Sequence, residues 1–421
     1  MRRSGVRHRR KGGQVGECAD ACAERLGICY NYIRKGVKMS KADFKAVILA
    51  GGSGERFWPL STPERPKQFL RVFGGESLIR QALARLDGLV APEDAFVVTT
   101  KSLVAATRKE LPEVPKGNIV GEPMRRDTGA AVALGVGLAI GSSRVGVESS
   151  RVCLGSSRVG LGSSSFSKSL KAPNPTLSDA NLTLNDPNWP LSDPVVGFFS
   201  SDQMVAKPKE FRKVVRKAVA LARRKDAIVT IGIKPDYPAT CFGYISPKTR
   251  AFVEKPDAEK AKKYVKAGYL WNAGMFIARA SVFRGAFAAH APELEKLANI
   301  GASAKSIAPA GLARLYSALP KISFDYAVME KAKNVEVVPG DFGWDDVGSF
   351  AAFDKYFPHD SRGNVREGPC NVVEAEGNIC VARSARISLL GVKNLVVVTT
   401  PDAVLVADKS RLTEMKRLFS R

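Results

Sequence analysis

The sequence predicts an α/β fold: a doubly wound, mostly parallel sheet followed by a small C-terminal β domain. Short apolar runs rich in β-branched residues alternate with stretches of helical periodicity from Ala46 to Ile233, as expected of parallel strands joined by crossover helices. The first run ends in a glycine-rich turn, and ligands bind at the carboxyl ends of strands in such sheets. From Gly363 onward short β runs are separated by Gly, Pro or Asp, which indicates an all-β appendage.

The glycine-rich turn follows a short apolar strand, Ala46 to Ala50. Its residues are Gly51, Gly52, Ser53 and Gly54. Glycines let the backbone turn tightly against a ligand because no Cβ intervenes, and successive N–H groups in such a turn can form an anion-binding nest. Arg56 and Lys67 supply positive charge behind the turn. This arrangement suits a triphosphate, although a lone glycine cluster also fits an ordinary strand–turn connection.

The other elements are predicted from periodicity and composition. In order, they are a helix at 77–86, strands at 95–100 and 119–123, a small-residue helix at 125–140, a strand at 195–199, a helix at 208–222 and a strand at 227–233. After the C-terminal β runs, a basic helix is predicted to end the chain.

Two segments stand outside this scheme. Residues 1–40 are basic and aperiodic, and we predict a disordered extension there, with Met39 as an alternative translation start. Residues 141–194 repeat two kinds of seven-residue unit without the apolar seam of a coiled coil. We predict a low-complexity insertion, which is either a tolerated surface loop or a functional linker. It interrupts a main domain at 41–360, and a C-terminal β domain at 361–421 follows.

The composition narrows the class of protein. With 421 residues, 45% of them apolar, the chain can bury a sizeable core and form two domains. No apolar run approaches the roughly 20 residues of a membrane helix. The seven cysteines are scattered, which suits a reducing, cytoplasmic location. The one cluster, Cys18, Cys22 and Cys29, has no nearby histidine and is weak evidence for zinc.

The net charge of +24 raises nucleic-acid binding as one explanation. Residues 1–41 hold 11 Lys/Arg against 3 Asp/Glu, a net +8, which leaves +16 over the other 380 residues. No nucleic-acid-binding motif accompanies this diffuse charge. We therefore expect neither a nucleic-acid nor a membrane partner, and we attribute the charge to phosphorylated substrates.

Two aspartates are candidates for a magnesium site. Asp202 follows the predicted strand at 195–199, and Asp346 lies in the tight WDDVG turn. Mg²⁺ takes oxygen ligands and is usually held by one or two carboxylates plus substrate phosphates. Each aspartate alone is more often a turn or cap residue, so spacing does not establish the pair.

The string KAVILAGGSGERFWPLSTPERPKQFL at 45–70 is neither a Walker loop nor a G-x-G-x-x-G turn. It resembles the GGxGxR and PK signature of the sugar-nucleotidyltransferases, and its FWPLS and PKQF segments resemble the bacterial mannose-1-phosphate guanylyltransferases. The resemblance covers nearly all of 44–421 outside the insertion. It implies a Rossmann-like nucleotidyltransferase domain with a β-helix-like tail, in a monofunctional enzyme without a phosphomannose isomerase domain.

The resemblance implies roles for residues in each motif. Arg56 and Lys67 would bind the triphosphate and stabilise its transition state, with Lys67 as the main catalytic residue. Asp202 and Asp346 would hold the metal, and the motif register favours Asp346 over Asp345. The FGYI, FVEKP, WNAGMF and ISFDYAVMEK segments would hold the sugar through Gly243, Glu254, Lys255, Asn272 and Asp325.

The segment GEPMRRDTGAA at 121–131 resembles the family's EPxxRNTAPA, which faces the base and ribose. It implies nucleotide contacts from Glu122, Asp127 and Thr128. An aspartate at 127 could still accept hydrogen bonds from guanine N1 and N2.

The chain departs from the family pattern at identifiable positions. In the base segment, Asp127, Gly129 and Ala130 replace Asn, Ala and Pro. In the strand-end motif, usually P-x-D-H, Ser200 replaces Pro and Gln203 replaces His.

The expected activity is transfer of a guanylyl group from GTP to α-D-mannose 1-phosphate, with Mg²⁺ as cofactor and pyrophosphate as the second product. One alternative is the same chemistry with UTP or dTTP and another hexose 1-phosphate. Another is a non-catalytic paralogue that binds a nucleotide sugar and regulates a partner. The β-helix-like tail implies a homodimer formed through the C-terminal β domain.

Overall fold

The computed structural model describes four stretches of the chain: 44–52, 54–151, 193–300 and 309–419. Over 143–151 only the backbone is described. The predictions for the extension at 1–40, for Ser53 and for 152–192 of the insertion lie outside the described residues. No helix in these stretches combines the length and the apolar character needed to span a bilayer.

A mostly parallel sheet forms the centre of the main domain, as predicted. The strands of this domain are β1 (Phe44–Ala50), β2 (Ala95–Thr100), β3 (Ile119–Glu122), β4 (Val195–Ser200), β5 (Met204–Val205), β6 (Ile228–Ile233), β7 (Tyr244–Ile245), β8 (Phe252–Val253), β9 (Leu270–Arg279), β10 (Val335–Gly340) and β11 (Trp344–Asp345). The main path of the sheet has the order β10-β6-β9-β4-β1-β2-β3. Along it only β9 is antiparallel to its neighbours, β4 and β6.

Helices cover both faces of this sheet. They are α1 (Leu78–Ala84), α2 (Val104–Glu110), α3 (Asp127–Arg151), α4 (Pro208–Arg224), α5 (Ala258–Lys266), α6 (Ala280–His290), α7 (Pro292–Asn299), α8 (Pro309–Ser317) and α9 (Ala352–Tyr356). Successive strand residues point to opposite faces. Val47 and Phe198 therefore pack in the core under α3, α6 and α7, whereas Ile48 and Phe199 pack in the core under α1 and α4. This confirms the doubly wound arrangement.

The helix α4 shows why periodicity located these elements well. Its buried residues are Phe211, Val215, Ala218, Val219 and Ala222, which recur at three- and four-residue intervals and form one face. Its Lys and Arg residues lie largely on the exposed side. The predicted helix at 208–222 is therefore confirmed, and it continues to Arg224.

The helix α3 extends into the segment predicted as the insertion. Its backbone is helical from Asp127 to Arg151, so the helix does not end at Ile140 as predicted. The residues from Ala130 to Ile140 are buried, and packing of this kind stabilises a helix more than intrinsic propensity does. The glycines and serines after Ile140 weaken a helix without ending it, and the next proline is Pro173.

The C-terminal β domain is β-helix-like, as predicted. Its strands are β12 (Val365–Glu367), β13 (Cys370–Val373), β14 (Ile379–Ala382), β15 (Ile387–Leu390), β16 (Leu395–Thr399) and β17 (Val404–Asp408). Strands β12, β14 and β16 pair in parallel, as do β13 and β15, and β17 closes the first sheet antiparallel to β16. The chain thus winds between two sheets. The predicted terminal helix is a 3₁₀ helix, Lys409–Leu418, rather than an α-helix.

The C-terminal β domain packs on the main domain through a shared buried cluster and through Trp58, whose ring lies 5.8 Å from that of Phe419. On the main-domain side of this cluster, the ring of Phe57 lies 5.3 Å from that of Phe350. Val365 of β12 belongs to the same buried cluster. The segment that follows the glycine-rich turn, which contains Phe57, therefore packs against the C-terminal β domain through this cluster.

Candidate active site

The glycine-rich turn lies at the carboxyl end of β1, against the segment that contains Lys67. Gly54 has φ of 67°, and a Cβ there would lie 2.6 Å from the backbone N of Lys67. Both the backbone conformation and the lack of space therefore require glycine. On the other side of the turn, a Cβ on Gly52 would lie 3.9 Å from Asp202 Oδ2. The turn is thus adjacent to both Lys67 and Asp202.

Lys67 connects the two predicted metal ligands. It begins a short 3₁₀ turn, and its neighbour Gln68 donates from Nε2 to the carbonyl of Ala50 at 3.0 Å, which ties the turn to the end of β1. Lys67 is 6% exposed. Its Nζ donates to Asp202 Oδ2 at 3.1 Å and to the backbone oxygen of Asp346 at 2.7 Å.

The two aspartates come from distant parts of the chain and meet because β5 pairs with β11. In this short antiparallel ladder Asp345 lies opposite Met204. The pairing continues where Ala206 N donates to the carbonyl of Gly343 at 3.0 Å. Because the aspartates flank this ladder, its formation brings them to the same side of the glycine-rich turn.

The adjacent residues Asp345 and Asp346 have different surroundings. The carboxylate of Asp345 pairs with Lys355 Nζ at 2.6 Å. A Cβ on Gly348 would lie 3.3 Å from both Asp346 Oδ2 and Arg56 Nη1. The carboxylate of Asp346 therefore faces the same space as the Arg56 guanidinium, whereas the carboxylate of Asp345 is paired with Lys355.

The charged groups influence one another's ionisation. Burial opposes ionisation of Asp202, but the Lys67 ammonium and the Ser200 hydroxyl outweigh it and lower the pKa of Asp202. Burial raises the pKa of Asp346, and the negative charge of Asp202 adds to the rise while Lys67 and Arg56 oppose it. Two carboxylates whose charges disfavour each other form a site that a divalent cation would stabilise.

The donor set fits a nucleotide-bound metal. Over the described stretches, no group of three or more His, Cys, Asp or Glu side chains is arranged to hold a metal ion. Mg²⁺ in phosphate-transferring sites commonly has one or two carboxylate ligands and completes its shell with phosphate oxygens and water. Asp202 and Asp346 match this requirement.

Glu122 lies beneath the glycine-rich turn. It ends β3, is 6% exposed, and its Oε2 would be 3.6 Å from a Cβ on Gly51. The hydroxyl of Tyr316, on α8, donates to Glu122 Oε1 at 3.3 Å. Burial raises the pKa of Glu122 to about 7, and the Tyr316 hydrogen bond opposes this rise.

Asp127 and Thr128 form the start of α3. Asp127 has φ of 65°, and its Oδ1 accepts from Thr128 N at 2.8 Å. Thr128 Oγ1 accepts from Phe324 N at 3.0 Å. A Cβ on Gly129 would lie 2.7 Å from the carbonyl of Ile322, so the glycine that replaces the family's alanine allows this close approach.

Asn272, which is buried, and Asp325, which is partly buried, form a polar pair. Asn272 Nδ2 donates to Asp325 Oδ1 at 2.9 Å, and Asn272 Oδ1 accepts from Thr230 Oγ1 at 2.8 Å. Asp325 opens a one-turn π-helix, Asp325–Met329, a distortion that is frequent at functional sites. Burial, followed by the negative charge of Glu254, raises the pKa of Asp325 to about 7.

Glu254, Lys255 and Gly243 adjoin this pair. Glu254 Oε1 lies 2.9 Å from Lys255 Nζ, and the Glu254 side chain is 7% exposed whereas that of Lys255 is 52% exposed. A Cβ on Gly243 would lie 2.5 Å from Glu254 Oε2 and 3.5 Å from Asn272 Cβ. The residues predicted to contact the sugar are therefore neighbours in space.

Comparison with known proteins follows the same division of the chain. A family model described as nucleotidyl transferase matches residues 45–151 and 184–362, and one described as MannoseP isomerase/GMP-like beta-helix domain matches 370–421. A mannose-1-phosphate guanylyltransferase of Escherichia coli K12 is 30% identical over 403 residues, which cover 91% of this chain and 74% of that protein. The chain belongs to the mannose-1-phosphate guanylyltransferase family.

Further members and solved structures agree with this assignment. The ManC mannose-1-phosphate guanylyltransferase of Salmonella typhimurium is 31% identical over 91% of this chain and 74% of its own length. A crystal structure from Thermus thermophilus, described as a mannose-1-phosphate geranyltransferase, superposes with a TM-score of 0.70 at 29% identity. It covers 90% of this chain and 99% of the Thermus chain.

Ser200 and Gln203 replace the usual proline and histidine of the guanylyltransferase motif, and both make hydrogen bonds in the turn around Asp202. Ser200 Oγ donates to Asp202 Oδ1 at 2.9 Å, so the residue that replaces proline adds a hydrogen bond to the carboxylate. Gln203 Nε2 donates to the carbonyl of Ala273 at 3.0 Å. The glutamine that replaces histidine is thus held against β9.

The sequence analysis did not predict two buried residues of the candidate active site, Tyr316 and Arg85. Tyr316 contacts Glu122, and Arg85 contacts the turn that contains Asp202. A signal for Arg85 was available, since it falls on the same helical face as the buried Leu78 and Ala82, where an arginine is unusual. Tyr316 has no comparable signal, because an aromatic residue in a helix is most often ordinary core.

Proposed function

We propose that this chain transfers GMP from GTP to α-D-mannose 1-phosphate. An oxygen of the sugar phosphate bonds to the α-phosphorus of GTP, and the bond from that phosphorus to the bridging oxygen of the β-phosphate breaks. The products are GDP-mannose and pyrophosphate. The nucleophile is already ionised at neutral pH, so no general base is needed.

The observation that supports this proposal is the contact of Lys67 with both metal-ligand candidates beside the glycine-rich turn. Phosphoryl-type transfer needs in-line positioning and positive charge on the equatorial oxygens more than covalent help. The Lys67 ammonium is a compact charge on a long, flexible side chain, so it can follow the α-phosphate as the geometry of that phosphate changes. We propose that Arg56, whose guanidinium faces the same space as the Asp346 carboxylate, binds the outgoing phosphates.

We assign the metal to Asp202 and Asp346. Members of this family generally use a divalent metal, and we propose Mg²⁺. When bound, it would offset negative charge on the phosphates as a Lewis acid. The two aspartates would orient it, and the Lys67 ammonium would offset the charge of Asp202 in its absence.

The remaining predicted residues divide between the two substrates. We propose that the glycine-rich turn, including Ser53, binds the phosphates, and that Glu122, Asp127 and Thr128 bind the base and ribose. The group described by Gly243, Glu254, Lys255, Asn272 and Asp325 would hold the sugar, with Lys255 near its phosphate and the carboxylates on its hydroxyls.

The test is pyrophosphate release from four nucleoside triphosphates combined with three sugar phosphates. We expect GTP with mannose 1-phosphate to give the highest kcat/KM. A higher value for UTP or dTTP with glucose 1-phosphate would reassign the substrates within the same chemistry. Binding of GDP-mannose without Mg²⁺-dependent turnover of any pair would favour the regulatory paralogue instead.

We also propose that two copies of the chain associate through the C-terminal β domain. Among the described residues, exposed large apolar side chains concentrate there. They include Val373, Leu390, Val404, Val406, Leu418 and Phe419. The strand β17, which contributes two of them, is the edge of its sheet, and an exposed apolar edge is a common site of strand-to-strand association.

A further inference from the structure

Arg85 is a buried cation next to the turn that contains Asp202. It directly follows α1 and is 3% exposed. Its Nη1 donates to the carbonyl of Gln203 at 2.9 Å, and its Nη2 donates to the carbonyl of Ser200 at 2.5 Å. These two carbonyls lie on either side of Asp202 in the chain.

Burying this guanidinium is costly. Burial lowers the pKa of Arg85 to about 10, although the charge of Asp202 opposes the fall. Within the described part of the chain its Nε has no hydrogen-bond partner, and the guanidinium lies 5.6 Å from the ring centroid of Phe211. An apolar side chain would fill such a place with less desolvation, so stability alone does not account for an arginine here.

We infer that Arg85 is a positioning residue for the metal site. By holding the carbonyls of Ser200 and Gln203, it fixes the turn so that the Asp202 carboxylate points toward Lys67. The inference rests on the proposed function, because it gives Asp202 the role of metal ligand. Arg85 acts through the backbone, whereas Lys67 and the Ser200 hydroxyl contact the carboxylate itself.

The geometry explains why the residue is arginine. A planar guanidinium has separate N–H groups that can bind two carbonyls at once, whereas a lysine ammonium is a single point. Arg85 also stays in place if Lys67 moves to the α-phosphate during transfer. The turn that contains Asp202 would then keep its shape while Lys67, which contacts the Asp202 carboxylate directly, binds the substrate.

The test compares Arg85→Met and Arg85→Lys with the wild type, and Arg80→Met is the matched control. Arg80 lies on α1, the helix that Arg85 directly follows, and its Nη1 donates to the carbonyl of Glu110 and to the carboxylate of Glu113. The first readout is Mn²⁺ binding to each protein with a non-hydrolysable GTP analogue, followed by electron paramagnetic resonance. The second is the Mg²⁺ concentration that half-activates pyrophosphate release.

We expect Arg85→Met to weaken Mn²⁺ binding about 10- to 100-fold, the range typical of residues that orient metal ligands. The half-activating Mg²⁺ concentration should rise in parallel, while KM for mannose 1-phosphate changes by less than about threefold. Arg85→Lys should fall between Arg85→Met and the wild type. Arg80→Met should match the wild type in both readouts.

Unchanged Mn²⁺ binding in a folded Arg85→Met protein would overturn the inference, as would an equal loss in Arg80→Met. If Arg85→Met does not fold, Arg85→Lys decides the question by the same measurement. The proposed function can fail separately. In that case the wild type would bind Mn²⁺ with nucleotide but would not turn over any substrate pair. Arg85→Met would still show weaker Mn²⁺ binding than the wild type.

Discussion

Lys67 is held by opposite charge and by backbone in the absence of substrate. One of its contacts is a carboxylate and the other is a carbonyl, so the ammonium lies ready beside the place proposed for the phosphates. A charge that strengthens its contact only as negative charge develops on the α-phosphate accelerates the chemical step. A charge used equally in ground and transition states would change KM instead.

Replacing Lys67 by alanine should therefore act on kcat. We expect Lys67→Ala to lower kcat on the order of 100-fold or more, with KM for mannose 1-phosphate changed by less than about threefold. Steady-state pyrophosphate release measures both constants. Lys109→Ala, at an exposed lysine of α2, is the control and should behave as the wild type. A near-normal kcat in Lys67→Ala would remove Lys67 from its proposed role.

Glu122 gives the stability of the protein a predictable pH dependence. Its pKa is about 7 in the folded protein against a reference of 4.5. Between these values the folded state keeps a proton that the unfolded state has lost, so this contribution is complete below the unfolded pKa and is lost as pH rises through 7. We expect Glu122→Gln to gain on the order of 2–3 kcal/mol relative to the wild type between about pH 5 and pH 8.

Urea unfolding of both proteins across this pH range measures the effect. Glu64→Gln, at an exposed glutamate, is the control and should follow the wild-type curve. A difference between Glu122→Gln and wild type that does not vary with pH would contradict the assignment of a protonated, buried carboxyl to this position.

At the scale of elements, the ladder between β5 and β11 decides whether the site forms. Each strand is only two residues long, so the ladder depends on the backbone around it. Gly343, directly before β11, has φ of 64°, and a Cβ there would lie 2.6 Å from the Cβ of Ala206. Any side chain at position 343 would therefore be strained and would clash with Ala206. This is the place where the β5–β11 ladder brings Asp346 beside Asp202.

Gly343→Ala should damage stability and activity together. We expect a loss of about 1–3 kcal/mol in the free energy of unfolding and a clear fall in kcat, because the ladder must shift. Gly363→Ala is the matched control, since Gly363 has φ of 73° but nothing lies within 4 Å of an added Cβ. It should lose about 1 kcal/mol with kcat unchanged. Equal kcat values for the two variants would show that the ladder does not set the site.

At the scale of the whole molecule, the main domain and the C-terminal β domain contact each other through a buried cluster next to the candidate active site. The aromatic cluster that includes Phe57 and Phe73 also contains Val365 and Val396 of the C-terminal β domain. Phe57 lies in the segment between the glycine-rich turn and Lys67. Association of two C-terminal β domains would therefore stabilise, through this cluster, the segment that precedes Lys67, the proposed catalytic residue.

A charge on the exposed edge strand should disrupt that association. Val406 of β17 is 63% exposed. We expect the wild type to sediment as a dimer and Val406→Asp to sediment as a monomer, because an unpaired charge is costly to bury in an interface. Lys248→Asp is the control: it also introduces an aspartate, but at an exposed position of the main domain, and this variant should remain dimeric. A monomeric wild type at tens of micromolar protein would contradict the proposal.

The local patterns of the sequence were sufficient for the fold class and for most elements. Continuous apolar runs in the central strands and burial at three- and four-residue intervals in α4 are visible in short stretches of sequence, so they can be recognised without long-range information. The motif residues Lys67, Asp202 and Asp346 could be singled out by resemblance. The end of α3 could not, because the glycines and serines after Ile140 weaken a helix without ending it, and propensity alone does not locate such an end.

What only the tertiary structure decided is how distant residues meet. Pairing of β5 with β11 brings Asp202 and Asp346 to one side of the glycine-rich turn, and the close contact at Gly54 places Lys67 next to them. Arg85 and Tyr316 take part through partners far away in the chain. The sequence by itself determined which side chains and strands are available, because these depend on local chemistry. Their juxtaposition depends on chain crossovers and cooperative packing, which no local pattern encodes.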